Sequence, residues 1–183
     1  MVMTTAYLIT PAPGDSSLRA SFLAAMREFE AETGHTDAGG LSVADLESGD
    51  CFENYAAGLR DGTSLRRGTR PLHTADWWWC ERGPGGGVTY LGRASVCHFL
   101  EPGGANLDFA IRPSRRGQGH GTALLAAVLP VARARGVDPA YLICDEANTA
   151  ARYVIEACGG AELHHPAGGR RYLLEVAAST LTA

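Results

Sequence analysis

The stretch that most limits how this chain can fold runs from Leu107 to Leu125. An apolar segment at Leu107–Ile111 leads into a basic turn with glycines at 117, 119 and 121, and the turn leads into apolar residues at helical spacing. This order predicts a β-strand, a tight turn and a helix. The first N–H groups of a helix lack partners within it, and the helix dipole is positive there. The turn therefore predicts an anion site, and its glycines would let the phosphates of a cofactor approach the backbone.

Two common nucleotide-binding loops are excluded by the residues of this turn. A P-loop requires a lysine before Ser or Thr, and the chain contains no lysine. A Gly-x-Gly-x-x-Gly dinucleotide loop fails as well, because its third glycine falls on Thr122 or on Leu124. The pattern that fits is Arg/Gln-x-x-Gly-x-Gly/Ala, which is met by Arg116, Gly119 and Gly121.

This pattern resembles the pyrophosphate-binding turn of the GCN5-related N-acetyltransferases, the GNAT family. The resemblance spans Trp77 to Val176 and includes a short apolar strand at Tyr141–Cys144, then Asn148, then Val154–Gly160, which is similar to the family's second CoA-facing helix. It implies an α/β fold, with a GNAT-like mixed, mostly antiparallel sheet of six to seven strands flanked by helices on both faces. It also implies that the strand ending at Ile111 separates from the next strand, and that the pantetheine arm lies between them.

The resemblance implies acetyl-CoA as the acyl donor and a set of cofactor-binding residues. These are Phe109, Ala110, Ile111, Arg112, Arg116, Gly117, Gln118, Gly119, His120, Gly121, Thr122, Asn148 and Arg152. Backbone N–H groups of residues 109–111 would hold the thioester carbonyl, as they do in the family through a bulge in this strand. One such donor is worth about 10²–10³ in rate. The arginines of the turn are expected beside the phosphates, whereas Asn148 and Arg152 have a second interpretation, as a helix cap and a solvated side chain.

Direct attack of an amine on the thioester in a ternary complex needs no nucleophilic side chain, since positioning supplies much of the rate. A general base would assist, and Glu101 and Asp108 are the carboxylates nearest to the cofactor strand. Each of them can also be read as an ordinary surface group. Many family members carry a tyrosine seven residues after the asparagine to protonate the thiolate, but here that position is Ile155. Tyr172 or solvent would have to replace it.

The leading hypothesis is an acetyl-CoA-dependent N-acyltransferase, and more narrowly an N-acetyltransferase that modifies a primary amine of a small molecule. Two alternatives stay open. One is a non-catalytic acyl-CoA-binding module, which the absent tyrosine favours. The other is a protein or peptide N-acetyltransferase, which needs an open groove that residues 35–70 are long enough to cover. Self-association as a homodimer is common in such folds, and it stays open as well.

Composition sets the outer limits of these hypotheses. A length of 183 residues predicts one domain over residues 1–183. The net charge of −4 offers no overall basic surface for nucleic acid, and no apolar run approaches the roughly 20 residues of a membrane span. The N-terminus lacks the basic region of a signal peptide, which predicts a cytoplasmic protein. No metal site is expected, because the five cysteines form no C-x-x-C pair and the adjacent His164 and His165 would point to opposite faces of a strand.

The remaining patterns predict the element order βα(α)βββαβαββ. The first strand covers Ala6–Thr10, and a helix begins after it at Asp15 or Ser16. Alternation in a later strand sends Trp78 to one face of the sheet and both of its tryptophan neighbours to the other. The partner of that strand is expected to be interrupted near Gly92.

Overall fold

The computed structural model describes residues 5–63, 74–98, 105–163 and 170–175, and all elements below lie within these ranges. The strands are β1 (Ala6–Ile9), β2 (Thr74–Arg82), β3 (Val88–His98), β4 (Ala105–Ile111), β5 (Ala140–Cys144), β6 (Ala161–Leu163) and β7 (Arg170–Leu174). The α-helices are α1 (Ser16–Thr33), α2 (Val43–Glu47), α3 (Cys51–Arg60), α4 (His120–Arg133) and α5 (Thr149–Ala157). A single 3-10 turn, Pro113–Arg115, precedes α4.

The strands form one open sheet in the order β1-β2-β3-β4-β5-β7-β6. Every neighbouring pair is antiparallel except β4 and β5, which run parallel. One hydrophobic core lies between the sheet and helices α1 to α3, and a second lies between the opposite face and helices α4 and α5. The predicted mixed, mostly antiparallel sheet with helices on both faces is confirmed.

The three consecutive tryptophans of β2 divide between the two cores, as alternation predicts. Trp78 is fully buried beneath α1, where its ring stacks on Phe22 with 5.1 Å between the centroids. Trp77 and Trp79 are buried in the core on the α4 side. Because large aromatic rings fill both sides of the same strand, β2 anchors both helical layers to the sheet.

Local signals in the sequence predict the start of α1 correctly and miss two features of the strands. Asp15 caps α1, because its Oδ1 accepts hydrogen bonds from the backbone N–H groups of Ser17 (2.9 Å) and Leu18 (3.1 Å). The first strand ends one residue earlier than predicted, at Ile9. The interruption expected near Gly92 is wrong, since β3 continues to His98 and absorbs one extra residue through a register shift opposite β2.

The sheet opens between its two parallel strands. β4 and β5 pair only at Ala105 with Ala140 and at Asn106 with Tyr141. Beyond that point β4 stays paired with β3 as far as Ile111, and β5 stays paired with β7 along its whole length. The predicted separation is confirmed. The bulge expected in β4 is wrong, because its register with β3 never shifts and the two halves of the sheet simply diverge.

Gly92 permits the close contact of β3 and β4 beside this gap. A Cβ added there would overlap the carbonyl oxygen of Ala110 and lie 2.9 Å from the Cδ1 of Ile111. Because a backbone carbonyl cannot move aside, we expect Gly92→Ala to lower the free energy of unfolding by about 3 kcal/mol, measured by urea denaturation. Gly85→Ala is the control, since nothing lies near that position, and a loss of equal size there would contradict the explanation.

Candidate functional site

The start of α4 presents backbone donors without a side-chain cap. Gly119 is the N-cap residue with φ 81°, and no side chain caps the first turn. Gly117 also has a positive φ, 70°, in the turn before it, and both glycines face open space. Residues with a side chain rarely adopt a positive φ, which explains why glycine occupies both positions. The helix is 14 residues long, so its N-terminus combines unpaired N–H groups with the positive end of a dipole, as an anion site requires.

A cavity of about 700 Å³ opens in front of this helix end, between α4, α5 and the end of β4. Nine of the predicted cofactor-binding residues line it: Phe109, Ala110, Ile111, Arg116, Gly117, Gly119, Gly121, Thr122 and Asn148. Gly121 allows α5 to pack closely here, because a Cβ at this position would lie 3.0 Å from the Cγ2 of Val154. The cavity therefore suits a long, phosphate-bearing molecule laid across the start of α4.

A second cavity, of about 220 Å³, lies in the gap between β4 and β5. Leu107 and Leu142 line it from the α4 side of the sheet, and Asp108 and Asp145 also line it. It shares Phe109, Asn148 and Ala151 with the larger cavity. The two cavities therefore adjoin, and together they connect the start of α4 with the gap in the sheet.

The pairing of β4 decides which of its N–H groups face the gap. The N–H of Arg112 donates to the carbonyl of Leu91 at 2.9 Å, so this pair is hydrogen-bonded across β3 and β4. Such pairs alternate along an antiparallel ladder. Ala110 therefore donates to β3, whereas Phe109 and Ile111 direct their N–H groups toward the gap, where the pairing with β5 has already ended. Of the three predicted donors, the ladder leaves two available to a ligand.

The basic residues of the turn bind acidic side chains of this chain. Arg112 donates to Glu28 at 2.8 and 2.6 Å, and Arg115 forms an ion pair with Glu81. The guanidinium of Arg116 lies 2.7 Å from Glu32 and 3.1 Å from the carbonyl of Ile111. Arg116 lines the large cavity, and the other two arginines do not. The attraction for an anion therefore comes from the backbone, the helix dipole and Arg116, rather than from three arginines.

Three other predicted cofactor residues lie outside the lining of the cavity. Gln118 donates from its side-chain amide to the carbonyl of Ser114 at 3.2 Å. His120 accepts a hydrogen bond at Nδ1 from the indole N–H of Trp79 at 3.4 Å, and burial together with Arg115 lowers its pKa. The guanidinium of Arg152 lies 3.7 Å from the carboxylate of Glu156, one turn further along α5.

Asn148 satisfies both of its predicted interpretations. Its Oδ1 accepts a hydrogen bond from the N–H of Ala151 at 3.0 Å and caps α5, and the residue also lines both cavities. Several cavity residues lie outside the set predicted from the sequence. Glu32 and Thr33, at the end of α1, lie more than 80 positions from the turn, and Tyr153 on α5 is 71% exposed at the cavity.

The candidate catalytic residues occupy different places. Asp108 lines the smaller cavity, and its carboxylate accepts a hydrogen bond from Arg93 at 2.9 Å. Tyr172 is fully buried and lines neither cavity; its hydroxyl donates to Glu156 at 3.1 Å. Burial and that hydrogen bond raise the pKa of Tyr172, which weakens it as an acid. Ile155, at the position where the resemblance implies a tyrosine, borders the gap, and Glu101 lies outside the described residues.

Glu28 makes the folded state sensitive to acid. Burial alone would raise its pKa, but hydrogen bonds from Arg112 and Ser114 outweigh burial, and the pKa is lowered from the usual 4.5. The stabilisation is present above that value and is lost as pH falls through the folded-state pKa. We expect Glu28→Gln to lower the free energy of unfolding by about 1–2 kcal/mol at pH 7, with a smaller difference below pH about 4.

Urea denaturation from pH 3 to pH 7 measures this difference. Glu47→Gln is the control, because it removes a carboxylate from an exposed ion pair with Arg27. We expect it to change stability by less than about 1 kcal/mol at any pH. A Glu28→Gln difference that stayed constant down to pH 3 would show that the charge of Glu28 is not responsible.

The described ranges of the chain contain neither a metal-binding cluster nor a helix that could span a membrane. Among the described residues, no group of three or more His, Cys, Asp or Glu side chains could hold a metal ion, and the five cysteines are unbonded to one another. His164 and His165 lie outside these residues. No helix within the described ranges combines the length and apolarity that crossing a membrane requires.

Known proteins share this fold at low sequence identity. Mycobacterium smegmatis RimJ, solved with CoA-disulfide, is 15% identical with a TM-score of 0.63 over 97% of this chain and 84% of its own. A domain from Methanocaldococcus jannaschii is 13% identical with a TM-score of 0.61 over 94% and 99%. The PaiA N-acetyltransferase of Thermoplasma acidophilum, solved with coenzyme A, is 14% identical with a TM-score of 0.58 over 93% and 99%. No curated protein matches by sequence.

The family itself is identified by sequence. The model of the acetyltransferase (GNAT) family matches residues 55–159, which is more than half of the chain. The matched segment contains the glycine-rich turn, both helices beside the large cavity and the two strands that separate. By its sequence and its fold, the chain belongs to the GNAT family of acetyltransferases.

Proposed function

We propose that this acetyltransferase transfers an acetyl group from acetyl-CoA to a primary amine of a small molecule, by direct attack in a ternary complex. The observation that carries the proposal is the connection between the two cavities. One begins at the uncapped start of α4, and the other lies in the gap of the sheet beside two carboxylates. An anionic donor and a cationic acceptor would therefore approach the gap from different sides.

The residues of the large cavity fit coenzyme A. N–H groups of the turn and of the first turn of α4 would bind the diphosphate, and the absence of side chains at Gly117 and Gly119 leaves room for it. Arg116 would add one positive charge. When bound, acetyl-CoA supplies an activated acetyl thioester. Two structurally similar proteins, Mycobacterium smegmatis RimJ and Thermoplasma acidophilum PaiA, were solved with CoA-disulfide and with coenzyme A, which supports this assignment.

The β4 backbone supplies the electrostatic part of catalysis in this proposal. Phe109 borders both cavities, and its N–H is directed into the gap. A fixed donor at this point stabilises negative charge on a carbonyl oxygen without any reorganisation. No covalent side-chain nucleophile is required. Since the described part of the chain brings no tyrosine hydroxyl into the lining of the gap, we assign protonation of the leaving thiolate to water.

The acceptor side favours a positively charged group. Among its described lining residues, the smaller cavity has two carboxylates, Asp108 and Asp145, and no Lys or Arg. The side chain of Asp108 is 55% exposed, so it can contact an ammonium ion, and water can take up the proton that the amine loses. A volume of about 220 Å³ suits the aminated end of a small molecule better than a peptide segment.

Thiol release from acetyl-CoA, measured with each of several acceptors, tests the proposal. The acceptors are tyramine, spermidine, L-lysine methyl ester and a peptide with a free N-terminus. We expect turnover with at least one small amine and at most weak turnover with the peptide. Isothermal titration with CoA is measured in parallel. CoA binding without turnover would support the non-catalytic module, preferential turnover of the peptide would support a protein acetyltransferase, and no CoA binding would refute the assignment altogether.

A further inference from the structure

We propose that Arg93 is a positioning residue for the acceptor site. It fixes the carboxylate of Asp108 toward the cavity in the gap, and Asp37 in turn fixes Arg93. The inference rests on the proposed function, because Asp108 is taken to contact the acceptor amine. It concerns a side chain that lines neither cavity and lies outside the glycine-rich turn.

Three polar residues form a row across the sheet on the face covered by α1 to α3. Asp76 of β2 lies directly opposite Ser95 of β3, and Ser95 lies directly opposite Asp108 of β4. Arg93 is two residues before Ser95 and therefore shares its face. Asp76, Arg93 and Ser95 are all buried, and they border a core of apolar side chains on this face. The row leads from the interior of the sheet to the gap.

Four hydrogen bonds hold the guanidinium of Arg93, two to Asp37 and two to members of this row. Its Nε and Nη2 donate to the two oxygens of Asp37 at 2.7 and 2.5 Å. Its Nη1 donates to Asp108 at 2.9 Å and to the hydroxyl of Ser95 at 3.0 Å, and Ser95 donates to Asp76 at 2.6 Å. Arginine stays charged at all accessible pH values, and a two-point contact with a carboxylate fixes its orientation.

Solvent exposure differs between the two ends of this network, since Arg93 and Asp37 are largely buried and Asp108 is exposed at the cavity. The side chain of Arg93 is 8% exposed and that of Asp37 is 19% exposed, whereas that of Asp108 is 55% exposed and borders the cavity. The buried part therefore holds the exposed carboxylate in one orientation. A buried ion pair is a weak source of stability, because desolvation offsets most of the attraction. Fixing the direction of a binding group is a role that an apolar pair could not perform.

Asp37 also connects the network to the segment between α1 and α2. In that segment, Thr36 hydrogen-bonds to the carbonyl of Leu41 and accepts from the N–H of Ala38 at 3.2 Å, and Ala38 is 1% exposed. The segment is therefore held as a compact turn over the sheet. Through Asp37 and Arg93, its position is coupled to that of Asp108, more than 70 residues later in the chain.

Steady-state kinetics with acetyl-CoA and the best amine of the panel test this role. We expect Arg93→Met to raise the KM for the amine at least tenfold, to change kcat less than threefold and to leave the Kd for CoA within twofold. Arg93→Lys restores the charge but not the two-point contact, so a partial rescue is expected. Arg27→Met is the matched control, because it removes an exposed arginine–carboxylate pair between the helices that cover the same face of the sheet. All kinetic and binding parameters should stay within twofold for this variant.

A double-mutant cycle separates positioning from general stabilisation. If Arg93 acts through Asp108, Arg93→Met should have less than a twofold further effect on the amine KM once Asp108→Asn is present. Asp37→Asn, which removes the buried clamp with a smaller change in the core, should raise the same KM in the same direction. It keeps the test valid if Arg93→Met fails to fold, which thermal unfolding of that variant would reveal.

Three outcomes would overturn the inference. The first is a tenfold effect of Arg93→Met that persists beside Asp108→Asn, and the second is a parallel loss of kcat and CoA affinity. The third is an amine KM unchanged by Asp37→Asn. If an amine is turned over and any of these results is found, only the positioning role of Arg93 is refuted, and the proposed function stands. Absence of turnover with every amine refutes the proposed function, and the positioning role with it.

Discussion

Gly119→Asp should weaken CoA binding by at least a hundredfold, and Gly119→Asn should weaken it by less than tenfold. Both side chains tolerate the left-handed conformation that position 119 adopts with φ 81°. Nothing lies within 4 Å of a Cβ built there, so neither variant is expected to disturb packing. The two side chains have nearly the same shape and differ by one negative charge, which isolates the electrostatic contribution of the anion site.

The size of the effect follows from Coulomb's law. A carboxylate about 4 Å from one phosphate charge costs roughly 4 kcal/mol at an effective dielectric constant of 20. Each 1.4 kcal/mol is a factor of ten in affinity, so a hundredfold loss is a conservative expectation. The carboxylate would also compete for the N–H groups at the start of α4. The amide oxygen of the Gly119→Asn variant can accept from the same N–H groups, so the difference between the two variants reports the effect of the charge.

Isothermal titration with CoA at low and moderate salt measures both variants. The difference between them should shrink as salt increases, because the repulsion is partly screened. Thermal unfolding of the ligand-free proteins is the control for folding, and the two midpoints should agree within a few degrees. Equal affinities for Gly119→Asp and Gly119→Asn would contradict the position of the diphosphate at this helix end.

Replacing the Phe109 amide with an ester should lower kcat by about 10²-fold and leave the Kd for CoA nearly unchanged. The substitution exchanges one N–H for an oxygen and keeps the side chain, and it can be introduced with the α-hydroxy analogue of phenylalanine. A donor aimed at developing negative charge typically contributes about 10²–10³ in rate. Because the Phe109 N–H is directed into the gap, its loss spares the ladder between β3 and β4.

An ester at Ala110 is the matched comparison. The alternation of the ladder assigns the Ala110 N–H to β3, so its loss should lower the free energy of unfolding by about 1 kcal/mol. The loss of kcat there should be at least tenfold smaller than for Phe109. If the two esters lowered kcat equally, the assignment of the Phe109 N–H as the carbonyl-binding donor would be wrong.

Several features of this protein could be predicted because their causes are local. The predicted strand, the glycine-rich turn and the start of α4 occupy 19 consecutive residues from Leu107 to Leu125, and the chemistry of an uncapped helix end depends only on nearby residues. The division of the tryptophans between two cores follows from the two-residue period of a strand. The caps at Asp15 and Asn148 follow from side chains that reach the nearest N–H groups.

The partners of the charged residues could not be predicted in this way. Arg112 and Arg116, which the sequence places beside phosphates, bind carboxylates of α1 that lie 84 residues earlier. Tyr172, a candidate acid, is buried against Glu156. No local pattern encodes such pairs, because the energy of an ion pair depends on distance in space and on burial, and both are set by how the helices pack on the sheet.

The sequence by itself therefore determined the fold class, the family and the uncapped helix start where we propose that an anion binds, since each follows from neighbouring residues and the periods of helix and strand. Only the tertiary structure decided that β4 and β5 separate after two residue pairs, which N–H groups face the gap, and that Arg93 lies between Asp37 and Asp108. These features combine residues up to 71 positions apart, and their geometry exists only after the helices have packed on both faces of the open sheet.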